Sequence, residues 1–481
     1  MPIPFTQIPD ALLVPGQLQE IDNSLAGSVG EIKKALIIAH KSDAGTATAG
    51  KPVRVFSEFK AALLFGAASP AAILAKCFLE TNKTEECWVM PVDAAQGATA
   101  REWRFAADCA EARTGAVAVT INGSRIAAAP VAEGATSENV AAAVVAAING
   151  ELWVPVEAEA LANGEFVVRA TVPGAHANIY TAEVASEADG VTVTAGVAPE
   201  GTQSPDLKPL LKGLGSVRYN YVVSDFDDPA GIKAVAAELD DRYTAMRQIG
   251  GRAFVAVSGD VETALETAKK VNCPHVVLVP RLENPGLPGE WAARWCAAAC
   301  RILADDPAAN TYDLAVPGLT SEIEYDMAGR QTLLSAGIAT YRVDSAGGVL
   351  VERLVTTYTK NTDGGKDTSY LDVQVTETVD AVRTYINAEA RKRYRTWKLA
   401  STDENFGSGA KVMSAGVFRS FLCELYQEVF IKGKQWCQDF DGYKSSLIVE
   451  IKTGSKTRLE YRHEPNLIGQ FYVGAGLTQF R

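Results

Sequence analysis

The chain has 481 residues, of which 47% are apolar and 22% charged, and it carries a formal net charge of −12. That length exceeds one ordinary core, so about two to four domains are expected, and the composition excludes a disordered chain. The acidic balance argues against a general nucleic-acid binder, which needs a basic face for phosphate.

No apolar run approaches the roughly 18 to 20 residues of a membrane span, so no direct membrane insertion is expected. Residues 1–32 hold no Lys, Arg or His. The positive region of a secretory signal is therefore missing, and the chain is expected to begin in the cytoplasm. The eight cysteines lack CxxC spacing, and several sit inside apolar runs, the pattern of buried, reduced thiols. Cys296 and Cys300, four apart on an expected helix, have no second pair to complete a metal site.

In chain order, prolines at 2, 4, 9 and 15 and glycines at 16, 27 and 30 keep residues 1–30 from forming a helix, while Gln17 to Ile21 suits a short extended strand. These residues read as an arm. Lys34 to His40 is a buried-strand run, followed by a helix around Ala68 to Glu80 and a strand at Cys87 to Val92. The alternation resumes with strands Tyr219 to Ser224, Ala253 to Ser258 and His275 to Pro280. Helices Ala230 to Ile249, Val261 to Val271 and Glu290 to Leu303 separate and follow them. Strands that are apolar along their whole length, separated by helices, indicate a parallel sheet covered on both faces.

Residues 98–204 are written differently. A strand at Gly115 to Ile121, an Asn122-Gly123 turn and a second strand precede an alanine-rich helix from Thr136 or Ser137, and strands follow at Phe166 to Thr171 and Val191 to Thr194. Removing this stretch restores the βαβ alternation, so it reads as an insertion into an α/β domain of residues 31–97 and 205–314.

Residues 315–465 change style again. A loop from Asn361 to Ser369 leads to a helix with Val375, Val379, Val382 and Ile386 on one face. A second helix carries Val417, Phe418, Phe421, Leu422, Leu425 and Val429, with Gly433 as its stop. Alternating strands at Leu447 to Ile451 and Leu459 to Tyr461 are joined through Thr453 to Lys456. Residues 466–481 form the last piece, in which Phe471, Val473, Ala475 and Leu477 alternate at period two before Phe480. The chain thus has two extended ends, and 25 extended residues reach about 80 Å, more than a domain diameter.

Tests for chemistry fail on particular residues. Gly45 to Lys51 matches the GxxxxGK of a P-loop, but Pro52 stands where a magnesium-binding hydroxyl is needed, and Val53 to Phe56 reads extended where a helix should open. His40, His176, His275 and His463 lie in four separate regions, with no HExxH and no GxSxG elbow. His40 and His275 end buried-type strands and read as satisfied edge or core residues. Ser258-Gly259-Asp260 reads as a turn and helix cap, and Gly213-Leu-Gly215 precedes a strand where a dinucleotide fingerprint follows one. Catalytic, cofactor-binding and metal-ligating residues are therefore expected to be absent. The densest positive run, Arg391-Lys392-Arg393-Tyr394-Arg395, reads as a solvated helix end or as a contact face for an acidic protein.

The opening Pro2 to Pro9, with Val14-Pro15-Gly16 and Glu20 to Ser24, resembles the start of Mu-like bacteriophage tail sheath proteins. Glu352 to Tyr358, Asp367 to Asp372, a helix with Arg383 and Tyr385, and the ending Asn466 to Phe471 through Gln479-Phe480-Arg481 resemble the same family. The resemblance implies a multidomain fold of mixed α/β and α+β type: a tail-sheath-like α/β core, an inserted β-rich α+β domain on the outside, and extended terminal arms.

It implies a non-enzymatic subunit that polymerises helically around a tail tube protein, between a baseplate and a tail terminator. The sheath contracts from a metastable extended state, and the finished particle is a virion assembled in the bacterial host cytoplasm. Leu13, Val14, Leu18, Glu20 and Ile21 of one arm, and Phe471, Val473, Ala475, Leu477 and Phe480 of the other, are then expected to add to sheets of neighbouring copies. Arg391, Lys392, Arg393 and Arg395, or Lys432 and Lys434, are expected to face the tube. The alternatives are the sheath of a phage-like injection or secretion machine and, further off, an α/β-fold hydrolase.

Overall fold

A computed structural model describes residues 33–404, 406 and 409–480. The first strand, β1 (Lys34–His40), is buried over nearly its whole length, as its unbroken apolar run requires. It is followed by β2 (Val53–Val55), α1 (Glu58–Phe65), α2 (Pro70–Thr81) and β3 (Glu86–Val92). Helix α2 starts where the Ser69 hydroxyl accepts from Ala72 N and Pro70 presets the first turn.

Residues 98–204 then form β4 (Glu102–Cys109), β5 (Gly115–Ile121), β6 (Ser124–Val131), α3 (Ser137–Asn149), β7 (Val156–Ala160), β8 (Glu165–Ala170), β9 (Ala182–Ser186) and β10 (Val191–Ala195), with a 3-10 turn at Ala175–Ile179 before β9. They make two antiparallel sheets, ordered β10-β4-β8-β7 and β6-β5-β9. Asn122 and Gly123, both at positive φ, close the β5–β6 hairpin.

The chain returns through α4 (Leu207–Lys212), β11 (Tyr221–Ser224), α5 (Pro229–Tyr243), β12 (Arg252–Ser258), α6 (Val261–Lys269), β13 (Val276–Leu282) and α7 (Pro288–Leu303). The main sheet is ordered β13-β12-β11-β1-β3-β2 and is parallel except for β2. Ala35, Ile37 and Ala39 point to one core with α2 and α7, while Leu36 and Ile38 point to another with α4, α5 and α6. Both faces are thus covered, and β3 and β11, on either side of residues 98–204, each pair with β1.

Strands β14 (Leu314–Thr320), β15 (Thr340–Val343) and β16 (Gly348–Arg353), with α8 (Met327–Ser335) between the first two, form an antiparallel sheet ordered β14-β16-β15. Ile338 bridges to Leu278 and fastens this sheet to the edge of the main one. The long helix α9 (Val373–Tyr394) leads to the short pair β17 (Lys398–Leu399) and β18 (Val412–Met413), then to α10 (Ala415–Glu424) and a π-helical stretch at Leu425–Gly433. The rest is β19 (Cys437–Gln438), α11 (Phe440–Ser446), β20 (Ile448–Ile451), β21 (Leu459–Arg462) and β22 (Asn466–Leu467). This part has its own core, where Val382 and Ile386 of α9 meet Phe421, Leu425, Tyr426 and Trp436.

Three expectations change. The helix expected to reach Ile249 stops at Tyr243, because the Thr244 backbone leaves helical geometry at ψ 157° and its N–H donates to Asp241 O, while the buried Arg242 side chain donates to the carbonyls of Gly215 and Val217. In α9, Thr376 and Thr378 are buried while Val375 and Val379 are only partly so. The cause is Arg252, itself 1% exposed, which donates to Thr376 Oγ1 at 2.7 Å and lies 3.3 Å from Glu377 Oε1. The helix read through Val429 widens to π geometry after Leu425, and there Tyr426 stacks on Tyr443 at 3.6 Å and donates to Gln438 O at 2.7 Å.

Candidate assembly surfaces

The hairpin of β20 and β21 stands alone. Its register pairs Ile448 with Arg462, Val449 with Tyr461, Glu450 with Glu460 and Ile451 with Leu459. One face rests on α10, where Phe418 meets Tyr461 at 5.3 Å. Among the described residues no further strand pairs with either edge. Two four-residue strands are marginal by themselves, and Glu450 opposite Glu460 adds repulsion. The open edges offer unpaired N–H and C=O groups to an incoming strand.

The segment after β22 supplies the opposite feature. Strand β22 pairs at home with β19, Gln470 Nε2 donates to Ala308 O at 3.0 Å, and Asn310 Nδ2 donates to Phe471 O at 3.2 Å. The Arg353 guanidinium covers the Tyr472 ring at 4.7 Å. Beyond Tyr472, among the described residues, no hydrogen bond or ion pair holds the segment: Val473 is 80%, Leu477 85% and Phe480 95% exposed, and Ala475 is exposed as well. The strand expected over Phe471 to Leu477 does not form in the single subunit, because no second strand lies beside it. Leu13, Val14, Leu18, Glu20 and Ile21 lie outside the described residues.

The six cations expected on a tube-facing surface divide in two. Glu389 takes Lys392 at 3.4 Å and Arg393 at 3.0 Å, Arg393 also reaches Glu424 at 2.8 Å, and Lys432 pairs with Glu428 at 2.7 Å. Arg391, Arg395 and Lys434 have no carboxylate within 4.0 Å among the described residues, and Lys434 sits over the Trp436 ring at 6.0 Å. The α9 end is thus a positive tip trimmed by its own glutamates.

The arrangement nearest to an enzyme lies where strand order reverses, at the ends of β1 and β11. His40 Nδ1 is 3.1 Å from Asp225 Oδ2, and the ring stacks on His176 at 3.9 Å. Burial holds both imidazoles down at about 3 and pushes the Asp225 carboxyl up to about 6. Among the described residues no Ser, Thr or Cys side chain is hydrogen-bonded to either ring. The stack therefore fastens the Ala175–Ile179 turn to the main sheet and has no nucleophile in contact to activate. Val53, two residues past Lys51, begins β2, so the glycine loop opens no phosphate-binding helix. Burial raises the Cys77, Cys87 and Cys273 thiols and keeps them protonated.

Residues 200–357 match the family model of the phage tail sheath protein central domain. The chain is therefore similar to phage tail sheath proteins over that central stretch, and the open hairpin and exposed apolar end of the single subunit are in keeping with such a likeness. Over 493 aligned positions, taking in 100% of both chains, it is 29% identical to the Mu-like prophage FluMu tail sheath protein of Haemophilus influenzae, and its likeness is to sheath proteins of that Mu-like kind. Among solved structures, a sheath tail protein of Desulfitobacterium hafniense aligns over 94% of this chain and 100% of its own, at 12% identity and a TM-score of 0.48. The anti-feeding prophage helical sheath in its contracted state aligns over 97% and 99%, at 12% identity and a TM-score of 0.46. Both scores fall under 0.5, and the assignment stands on the sequence matches.

Proposed function

We propose that the subunit polymerises helically around a tail tube protein and contracts from a metastable extended lattice, its copies linked by strands that each lends to the next. One observation carries the reading: the same chain holds a two-stranded sheet with both edges open and an apolar segment with no home. Residues 473–480 supply one donor strand, and the arm around Leu13, Val14, Leu18, Glu20 and Ile21 supplies the other. Two donors on two edges turn a marginal hairpin into a four-stranded sheet, past the three strands that independent stability needs.

A head-to-tail link that does not close on itself generates a helix. Rigid subunits can then rotate outward while the exchanged strands keep the lattice whole, and no nucleotide step enters. In this reading residues 31–97 and 205–314 form the sheath core, residues 98–204 project outward, and residues 315–465 carry the acceptor hairpin and turn the positive end of α9 to the tube. Baseplate and tail terminator proteins close the two ends.

Ending the chain at Tyr472 tests this. The truncated subunit should melt as the parent does and form no tubes; striated tubes in negative-stain images would overturn the reading.

A further inference from the structure

An open cleft of about 1060 Å³ lies at the carboxyl ends of β11, β12 and β13, where three parts of the chain meet. Glu183 comes from residues 98–204, Asp227, Asp228 and Glu283 from loops after the main strands, and Glu322 from the connection between β14 and α8. Against these five carboxylates stands one guanidinium, Arg281, and among the described residues none of the six groups is in an ion pair within 4.0 Å. Asp228 is committed to capping α5, accepting from Ala230 N and Gly231 N.

A buried amide adds a second sign of an absent donor. Asn284 is 1% exposed, and its Nδ2 donates to Arg281 O at 2.8 Å and to Tyr341 Oη at 2.7 Å. Those bonds fix the amide, so Oδ1 is an acceptor, and it has no partner. Ser258 Oγ in the same lining is also unpartnered. Burial first, then the neighbouring Asp225 and Asp228, push the Asp227 carboxyl up to about 7, with Arg281 pulling the other way. Arg281 Nε, likewise unpartnered, offsets only one charge. The described residues hold no group of three His, Cys, Asp or Glu side chains placed to grip a metal ion. Acceptors this dispersed suit N–H donors on a projecting cationic group.

The subunit carries such a projection elsewhere. Lys360 and Lys366 face each other across an antiparallel bridge at the base of an exposed loop, and neither has a carboxylate within 4.0 Å among the described residues. Like charges so placed repel unless an anion joins them. The loop is held ready. Asn272 Oδ1 accepts from Thr359 N and Lys360 N, and Asn361 Oδ1 accepts from Asp363 N and Gly365 N.

We propose that the lysine loop of residues 360–366 of a second copy docks in this acidic cleft, giving the sheath a charged contact separate from its exchanged strands. The inference rests on the assembly reading above. A heterologous contact of this kind suits a helical lattice, because each subunit shows loop and cleft at different places. Little order is lost on docking, since the loop is already fixed by Asn272 and Asn361.

A charge swap tests it in the full chain. Glu283→Lys with Glu322→Lys, and separately Lys360→Glu with Lys366→Glu, should each raise the concentration needed for tube formation by about tenfold or more. The chain carrying all four changes should return to within about threefold of the parent. All four side chains are exposed, so melting of each monomer should match the parent. Parental assembly in either double variant overturns the proposal, as does failure of the fourfold variant to recover while both doubles are impaired. Spermidine serves as a free polycation probe. A rise in subunit melting temperature with spermidine that Glu283→Lys/Glu322→Lys abolishes, together with failed recovery, would assign the cleft to a soluble cation instead. These outcomes are independent of the Tyr472 truncation, which tests the strands alone.

Discussion

Replacing Val473 and Leu477 with serine probes strand lending at its energetic centre. The two lie four residues apart, so in an added strand they point to the same face, with Ala475 between them. In the lone subunit they are 80% and 85% exposed, so nearly all of each side chain is available for burial in a neighbour. Full burial of such a side chain contributes about 1.5–3 kcal/mol, and serine keeps little of it, so the double variant should lose about 3–5 kcal/mol at each link. At 1.4 kcal/mol per power of ten, that weakens the contact by roughly two to three and a half powers of ten. Light scattering against protein concentration should show the onset of tubes moved up accordingly, with the monomer melting temperature unchanged. Tubes forming at the parental concentration would refute the reasoning, because side chains left in solvent cannot matter to assembly.

Three further outcomes are expected. Arg391→Glu with Arg395→Glu should impair sheath formation on the tail tube while changing monomer stability by less than about 0.5 kcal/mol, read by electron microscopy of tails and by melting. Arg252→Ala should cost about 3–5 kcal/mol in urea unfolding, since it leaves Glu377 without the guanidinium beside it in a buried setting. His176→Leu should flatten the fall of stability between pH 7 and pH 5 by about 2 kcal/mol. Unfolded, His176 takes a proton below about 6.5, but folded it refuses one until about 3, so the parent loses stability as pH falls through that window. Urea unfolding at the two pH values would show it.

What the sequence made legible follows from how local each signal is. Strand β1 could be read because its apolar run is buried over nearly its whole length, and the start of α6 because Asp260 caps it. The Asn122-Gly123 hairpin declared itself by the positive φ its turn needs. Strand β14 did not, since Pro317 and Gly318 interrupt it and its residues are largely exposed. The face of α9 was legible at Val382 and Ile386 but not in its first turns, where a buried arginine from β12, 124 residues earlier, draws Thr376 rather than Val375 and Val379 to the interior. Both terminal strands of the hairpin could be read from alternation, but that no third strand joins them is a fact of three dimensions. The cleft was beyond reach for the same reason: Glu183, Asp227, Glu283 and Glu322 form no motif along the chain.

Chain order also sets a timetable. The main sheet closes only when β11 reaches β1, a separation of 186 residues between Lys34 and Asn220, and a loop that long is slow to close. The β20–β21 hairpin and residues 473–480 leave the ribosome after every strand of that sheet. A nascent subunit therefore has every strand of its main sheet before this end of the chain appears, so any contact made through the hairpin or residues 473–480 comes after that interior can form.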